Sequence, residues 1–383
     1  MKLVEDEESG VVAGLVVQVE AFPGPAVQVD AETGNSFPGQ TSAHVFLEAT
    51  QPVEIRDHEH DRHLARLVGT GDIAVAVTCA YRDRQSAVTD PTTPAGWIEA
   101  WKPTQETETY DLVVDVHAHL MVPESADLTR PHFKPEYEPR TFFSAPVTKE
   151  VNSEFYRLAE TKYTDPETRL ADMDAMGTTT QLVALTPFHY FYWADADLAP
   201  RVAAMQNEAI AMHTSHAPDR LVGVGTLPMA HPEAAVSEVR RIADLGFPAA
   251  EIGADVNGLD LDDPRFEPVW AALEESGLVV ILHPAGFTDA QRMGDFYLVN
   301  VIGMPLATTL AVTRLILAGV LERHPGLRMV LVHGGGYLPF YWARTDHAFR
   351  HRPELRGNID RLPSEYLDRF HFDITVFDPD LIG

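Results

Sequence analysis

Two patterns of hydrophobic and polar positions divide the chain near residue 110. Beyond it, short, mostly continuous apolar runs at 112–116, 181–185, 221–225, 249–252, 278–282, 329–332 and 370–374 alternate with longer amphipathic stretches. A run that is apolar at every position, rather than every second one, is expected of a strand buried on both faces, as in a parallel sheet. Helices are expected over 166–176, 199–216, 232–245, 264–276 and 307–324. In 233–243 the apolar Ala235, Val236, Val239 and Ile242 recur at helical spacing. Asp165-Pro166 and Asp262-Asp263-Pro264 read as helix starts, with an acidic cap before a proline. Strand–helix repeats of this kind build either an open doubly wound sheet or a (β/α)8 TIM-barrel-like fold. Seven strands are visible and a barrel needs eight. The chain stops at Gly383, just past the seventh, so the eighth strand is expected to be missing.

The first 105 residues read differently. Extended stretches at 11–19, 26–29 and 73–78 are separated by turn signals such as Pro23-Gly24 and Pro38-Gly39. A Pro/Thr-rich segment at 90–109 reads as a linker. The expected organisation is therefore a β-rich region at 1–105 without a family assignment, followed by a barrel at 106–383. The acid- and histidine-dense segment 57–63 reads as a solvated loop or helix start, since no spacing converges its side chains on an ion.

Composition narrows the function. Twenty-nine basic against 57 acidic residues give a net charge of −28. Such a charge repels phosphate backbones and anionic membrane surfaces, so neither nucleic acid nor membrane is an expected partner. With 45% hydrophobic residues the chain can bury a sizeable core. The single cysteine, Cys79, excludes an intrachain disulfide framework and a multi-thiolate zinc site. No apolar stretch in the sequence approaches the roughly 20 residues of a spanning helix. The acidic start MKLVEDEESG lacks the pattern of a signal peptide, so a soluble, cytoplasmic protein is expected.

The candidate chemistry lies where apolar runs end. Residues 112–116 lead into His117-Ala118-His119, 278–282 into His283-Pro284, and 329–332 into His333-Gly334-Gly335-Gly336. Side chains at i and i+2 share a face of a strand, so both imidazoles of the HxH pair can point into a barrel. They stand at the C-terminal end of its first strand, where barrel enzymes hold their chemistry. One histidine at a strand end is ordinarily a satisfied polar side chain, but four at one end of one barrel point to a metal centre. Neutral imidazoles suit Zn2+ and related divalent ions, and three leave a coordination position open. After the second strand, Phe188, Tyr190, Phe191, Tyr192 and Trp193 either line a pocket for a planar, partly apolar substrate or pack a loop.

From about Asp111 onward the chain resembles the metal-dependent amidohydrolase superfamily, most closely its aminocarboxymuconate-semialdehyde decarboxylase-like (amidohydrolase 2) branch. The resemblance rests on DVHAHL (115–120), DPETRLADMDAMG (165–177), RLVGVGTLPM (220–229), LGFPAAEIG (245–253), HPAGF (283–287), GMPLATTLAV (303–312) and the stretch from HGGG to RPEL (333–355). It implies that His117, His119 and His283 bind the metal and that His333 is the acid–base group. It further implies that Arg344 binds a substrate carboxylate, with the possibility of a homodimer placing it across an interface. The implied activity is non-hydrolytic decarboxylation of a small carboxylated, aromatic-derived compound, with metal-dependent hydrolysis or hydration on the same scaffold as the alternative.

Three departures from the family pattern stand out. The family's remaining ligand, an aspartate at the end of strand eight, has no counterpart. The terminal FHFDITVFDPDLIG resembles the strand-seven segment, so Asp373 and Asp378 are not expected to replace that ligand, and an inactive truncated fragment is a third reading. Ala285 follows the His-Pro pair where the decarboxylase has tryptophan, and Glu160 aligns with its carboxylate-binding arginine, with Arg157 and Lys162 nearby. Without an eighth strand, the first and seventh strands would be open edges; residues 11–19 are a candidate to cover one of them.

Overall fold

The continuously apolar runs form seven parallel strands joined by helical crossovers. The computed structural model describes residues 4–5, 12–13, 113–373 and 375–376. The strands are β1 (Val114–Leu120), β2 (Thr180–Leu185), β3 (Leu221–Thr226), β4 (Ala249–Ile252), β5 (Val279–Leu282), β6 (Met329–Leu331) and β7 (Phe370–Phe372). They lie side by side in sequence order, each parallel to its neighbours. A doubly wound sheet reverses its strand order at a switch point. This sheet never reverses, so it is a barrel wall of seven strands with β1 and β7 as its edges, and no eighth strand is among the described residues.

The larger helices are α1 (Pro146–Thr164), α2 (Pro166–Met176), α3 (Leu198–Thr214), α4 (Pro232–Asp244), α5 (Glu267–Ser276), α6 (Met304–Leu317) and α7 (Leu338–His351). The Asp165 carboxylate caps α2 by accepting the Thr168 N–H at 2.8 Å. Two expected helices are divided. The stretch 264–276 is a 3-10 turn at Pro264–Phe266 followed by α5, and 307–324 breaks at Gly319, whose φ of +72° ends α6. Helices α1 and α7 were not expected, because their apolar positions are sparse and much of their surface faces solvent.

The sheet separates two apolar layers. Leu182, Ala184, Val224, Val279, Ile281, Val330 and Val332 fill the barrel interior. Val183, Leu185, Ala250, Ile252, Val280, Leu282, Met329 and Leu331 face the helices, where Ile210, Val239, Ile242 and Val312 meet them. With both faces buried there is no solvent side on which polar residues would alternate, hence the mostly continuous runs.

The expectation that no apolar stretch approaches a membrane-spanning length needs correction. Residues Val299–Leu317 form one 19-residue helical stretch long and apolar enough by length and composition, half of it buried. Here Ala311, Val312, Leu315 and Ile316 join the helix-side core, and that burial accounts for its apolarity.

Of the N-terminal region, a short antiparallel ladder of Val4–Glu5 with Val12–Ala13 is described. In that ladder Val12–Ala13 pairs with Val4–Glu5 and not with β1 or β7, so the edge-covering role expected of 11–19 is not observed there. The segments 26–29, 57–63 and 73–78, the linker at 90–109, and Asp378 lie outside the described residues.

Candidate active site

Strand phase brings the chemistry together at the C-terminal end of the barrel. On β5, Val279 and Ile281 point inward, so His283 does too, and it is buried. On β1 the phase changes. Val114 and Val116 face the interior, and strict alternation would turn His117 and His119 toward the helices. The ladder to β2 has a register shift between Asp115 and Ala118, a bulge that moves the next two odd-numbered positions inward. The Asp115 carboxylate supports this turn by accepting the His117 N–H at 3.0 Å. The other Asp115 oxygen accepts Gln181 Nε2–H at 2.8 Å. Arg169 of α2 ties the arrangement from behind. It donates to Gln181 Oε1 at 2.6 Å, to the His119 carbonyl at 2.6 Å and to His213 Nε2 at 2.9 Å.

His333 reaches the site by a different device. Val330 and Val332 face inward, so an extended chain would send His333 outward. Its φ is +56°, and the glycines that follow sit at +64°, +71° and +67°. This left-handed run turns the chain over and swings the imidazole back into the barrel mouth. A side chain on Gly336 would put its Cβ 2.2 Å from the Pro305 carbonyl oxygen, so the close approach as well as the φ requires glycine.

The four imidazoles form one cluster. Ring centroids are 4.9 Å apart for His117 and His119, for His117 and His283, and for His283 and His333; His117 and His333 are separated by 5.6 Å. His117, His119 and His283 each offer a ring nitrogen, with all three ligand atoms within 4.8 Å of one another. The Nδ1 of each lies against an oxygen: Asp373 Oδ2 at 2.9 Å, the Leu185 carbonyl at 3.0 Å and the Pro284 carbonyl at 2.9 Å. Carbonyl and carboxylate oxygens only accept, so each Nδ1 carries a proton and each ring presents its Nε2 to the centre of the cluster. His117 Nε2 and His119 Nε2 are 3.2 Å apart. Two nitrogens bound to one tetrahedral zinc would stand about 3.3 Å apart. Burial, then the neighbouring His117, holds His119 well below the usual imidazole range; burial, then His117 and His333, does the same for His283. Both are therefore neutral near pH 7, the form that binds metal. The donor set fits a divalent ion.

The remaining expected residues are distributed unevenly. Tyr192 and Trp193 line a cavity of about 30 Å3 with Glu138, Tyr190, Asn257 and Ala285, space for about one water. The Tyr192 hydroxyl accepts the Gly253 N–H at 2.9 Å. Phe188 stands outside this lining, with its ring against Tyr156. Arg344 is exposed on α7 and is not gathered with the histidines. Glu160 and Arg157 are exposed on α1, and Lys162 pairs with Asp172. Arg140, which donates to the Tyr156 hydroxyl at 2.9 Å, was not anticipated. Nor was Glu251, whose inward carboxyl accepts from the Tyr190 hydroxyl at 2.8 Å and is pushed up to about 8 by burial. The signal for Glu251 was available: an acid inside the apolar run 249–252.

Glu138 offers a pH test of the cavity. Burial pushes its carboxyl up to about 7, against the opposing pull of the Trp193 indole N–H at 2.9 Å and of Arg140. The folded chain therefore holds the protonated form at pH values where the unfolded chain, near 4.5, has released it. This contribution to stability is complete below about 4.5 and is lost as pH rises through about 7. The loss is on the order of 3 kcal/mol. Denaturant midpoints measured from pH 5 to pH 8 should fall less steeply in Glu138→Gln than in the wild type. Parallel curves would rule the effect out.

Comparison with known proteins follows the same outline. Residues 114–377 match the family described as Amidohydrolase. The 2-amino-3-carboxymuconate-6-semialdehyde decarboxylase of Dictyostelium discoideum is 34% identical over 234 residues, covering 61% of this chain and 65% of the relative. Gamma-resorcylate decarboxylase of Rhizobium radiobacter is 31% identical over 196 residues, covering 47% and 59%. The chain thus spans less than two thirds of the length of these relatives. The crystal structure of 5-carboxyvanillate decarboxylase from Sphingomonas paucimobilis superposes with a TM-score of 0.60 at 28% identity, covering 68% of this chain and 80% of that one.

Proposed function

The chain belongs to the amidohydrolase family, and on that footing we propose that it is a metal-dependent decarboxylase of a small carboxylated aromatic compound. The observation that carries this reading is the histidine cluster, with three ring nitrogens gathered within 4.8 Å of one another and His333 beside them. His117, His119 and His283 would hold the ion, for which zinc is the proposal because a set of three imidazole nitrogens suits it. A bound divalent ion supplies positive charge that anchors a substrate oxygen and offsets charge as the carboxylate leaves.

The chain's own groups do the rest. Loss of carbon dioxide breaks the carbon–carbon bond to the ring and leaves an electron pair on the ring carbon. That carbon takes a proton, and His333 is placed to deliver it. Tyr192 and Trp193 would supply the aromatic flank against which a planar ring is oriented, and Phe188, packed on Tyr156, would act only from behind it. Arg344 belongs to this reading only with a second copy of the chain in a homodimer. A cytoplasmic setting is part of the same proposal.

The relatives named above act on carboxylated compounds by losing the carboxyl, as their names state, and this supports the substrate class. The test uses the zinc-loaded chain with hydroxybenzoates bearing one carboxyl, and measures carbon dioxide and product mass together. One carbon dioxide per product lacking the carboxyl is expected. A product that keeps its carboxyl and gains the elements of water would replace decarboxylation with hydration or hydrolysis.

A further inference from the structure

We propose that Asp373 is the positioning residue of the metal site: it sets the ring tautomer of His117, and it does so across the two edges of the sheet. This rests on reading the histidine triad as a metal centre. Asp373 follows β7 and His117 is on β1, the edge strands that no ladder joins among the described residues. The Asp373 N–H donates to the Leu331 carbonyl of β6 at 3.1 Å, which anchors the residue to the wall. Its side chain is fully buried. Oδ1 accepts two backbone donors, Gly334 N–H at 2.7 Å and Thr375 N–H at 3.1 Å. Oδ2 faces His117 Nδ1 at 2.9 Å.

This arrangement differs from that of the other two ligands. His119 and His283 have their Nδ1 atoms against backbone carbonyls, which the fold supplies whatever the side chains. His117 depends on a side chain for the same service. A carboxylate only accepts, so it holds the proton on Nδ1 and leaves Nε2 as the donor to an ion. Because the acceptor comes from the far edge, the third ligand is correctly presented only when β7 is docked. Docking of β7 and presentation of the third ligand are therefore one event.

The polarity can be inverted without changing shape. In Asp373→Asn, two backbone N–H groups converge on Oδ1, so the amide oxygen must stay there. The NH2 then has one hydrogen for the Thr375 hydroxyl, which lies 3.2 Å from Oδ2, and its other hydrogen points at His117 Nδ1 and requires an acceptor there. The ring proton moves to Nε2, where it blocks the ion. Zinc titration of the metal-free chain should show about 10–100-fold weaker binding in Asp373→Asn, with the urea midpoint of the metal-free protein unchanged. Nitrogen-15 NMR of labelled histidines in the metal-free proteins should find the His117 proton on Nδ1 in the wild type and on Nε2 in the variant. A purely structural role would lower the midpoint and leave the tautomer alone.

Wild-type zinc affinity in the variant, or a wild-type His117 protonated on Nε2, overturns the proposal. The NMR of the wild type needs neither a folded variant nor an ion. A chain that binds no zinc would defeat the proposed function, and the wild-type tautomer would still decide the role of Asp373.

Discussion

His283→Ala should reduce zinc affinity by at least about 100-fold, more than the loss expected from removing an outer partner of a ligand, whereas His333→Ala should keep the zinc and lose turnover by about 10²–10⁴-fold. The contrast follows from how the two rings are held. His283 is buried at the end of β5, with Nδ1 against the Pro284 carbonyl at 2.9 Å, so its Nε2 lone pair is the ring's only remaining function. His333 stands 4.9 Å from His283 between ring centroids but is not one of the three residues whose ligand atoms converge. It can leave the ion in place and still be missed when the proton is moved. Metal analysis after desalting, alongside carbon dioxide release, separates the two. Equal metal loss in both variants would make His333 a ligand. Equal turnover in His333→Ala and wild type would remove it from the chemistry.

Gly336→Ala should destabilise the chain by about 3 kcal/mol or more. With φ +67° and ψ −128°, Gly336 sits in a region almost restricted to glycine, which costs an L-residue about 1–3 kcal/mol. A Cβ placed 2.2 Å from the Pro305 carbonyl oxygen, and 2.7 Å from Thr309 Oγ1, forces a further shift costing typically about 1–3 kcal/mol. The Thr309 hydroxyl accepts the Tyr337 N–H at 2.8 Å, so displacing it also disturbs the start of α7. Urea midpoints with and without zinc would measure the loss. Because the turn aims His333, turnover should fall further than stability alone dictates. Gly246→Ala serves as the comparison, since its φ is +80° and a Cβ there meets nothing within 4 Å. If the two variants lose equal stability, the close contact contributes nothing.

The apolar runs were enough to locate all seven strands, because strands buried on both faces are mostly apolar and these runs are too short for helices. They were silent on α1 and α7, whose exposed faces dilute the helical period. The histidines were legible because they stand at strand ends, and Asp373 stood in the same position at the end of 370–374. It was weighed as a replacement ligand and not as the partner of His117, since nothing local pairs residues 256 positions apart. The aromatic run after β2 was visible as a cluster, but sequence could not separate Tyr192 and Trp193, which line the cavity, from Phe188, which packs on Tyr156. Arg344 shows the opposite case: the motif marks it, and the fold leaves it exposed on α7.

What the sequence determined by itself was therefore the seven strands, the repeated strand–helix crossover, and the identity of the four imidazoles. Those are properties of local composition and spacing. The tertiary structure decided which way the imidazoles point. A bulge at Asp115 turns His117 and His119 inward, and a left-handed backbone at His333 turns that ring back. Both reverse the strict alternation that spacing alone predicts. Each depends on contacts made by other elements: Gln181 and Arg169 behind the bulge, and Pro305 and Asp373 around the glycine turn. A phase change of one residue costs little in sequence pattern, yet it selects which face of the wall carries the chemistry.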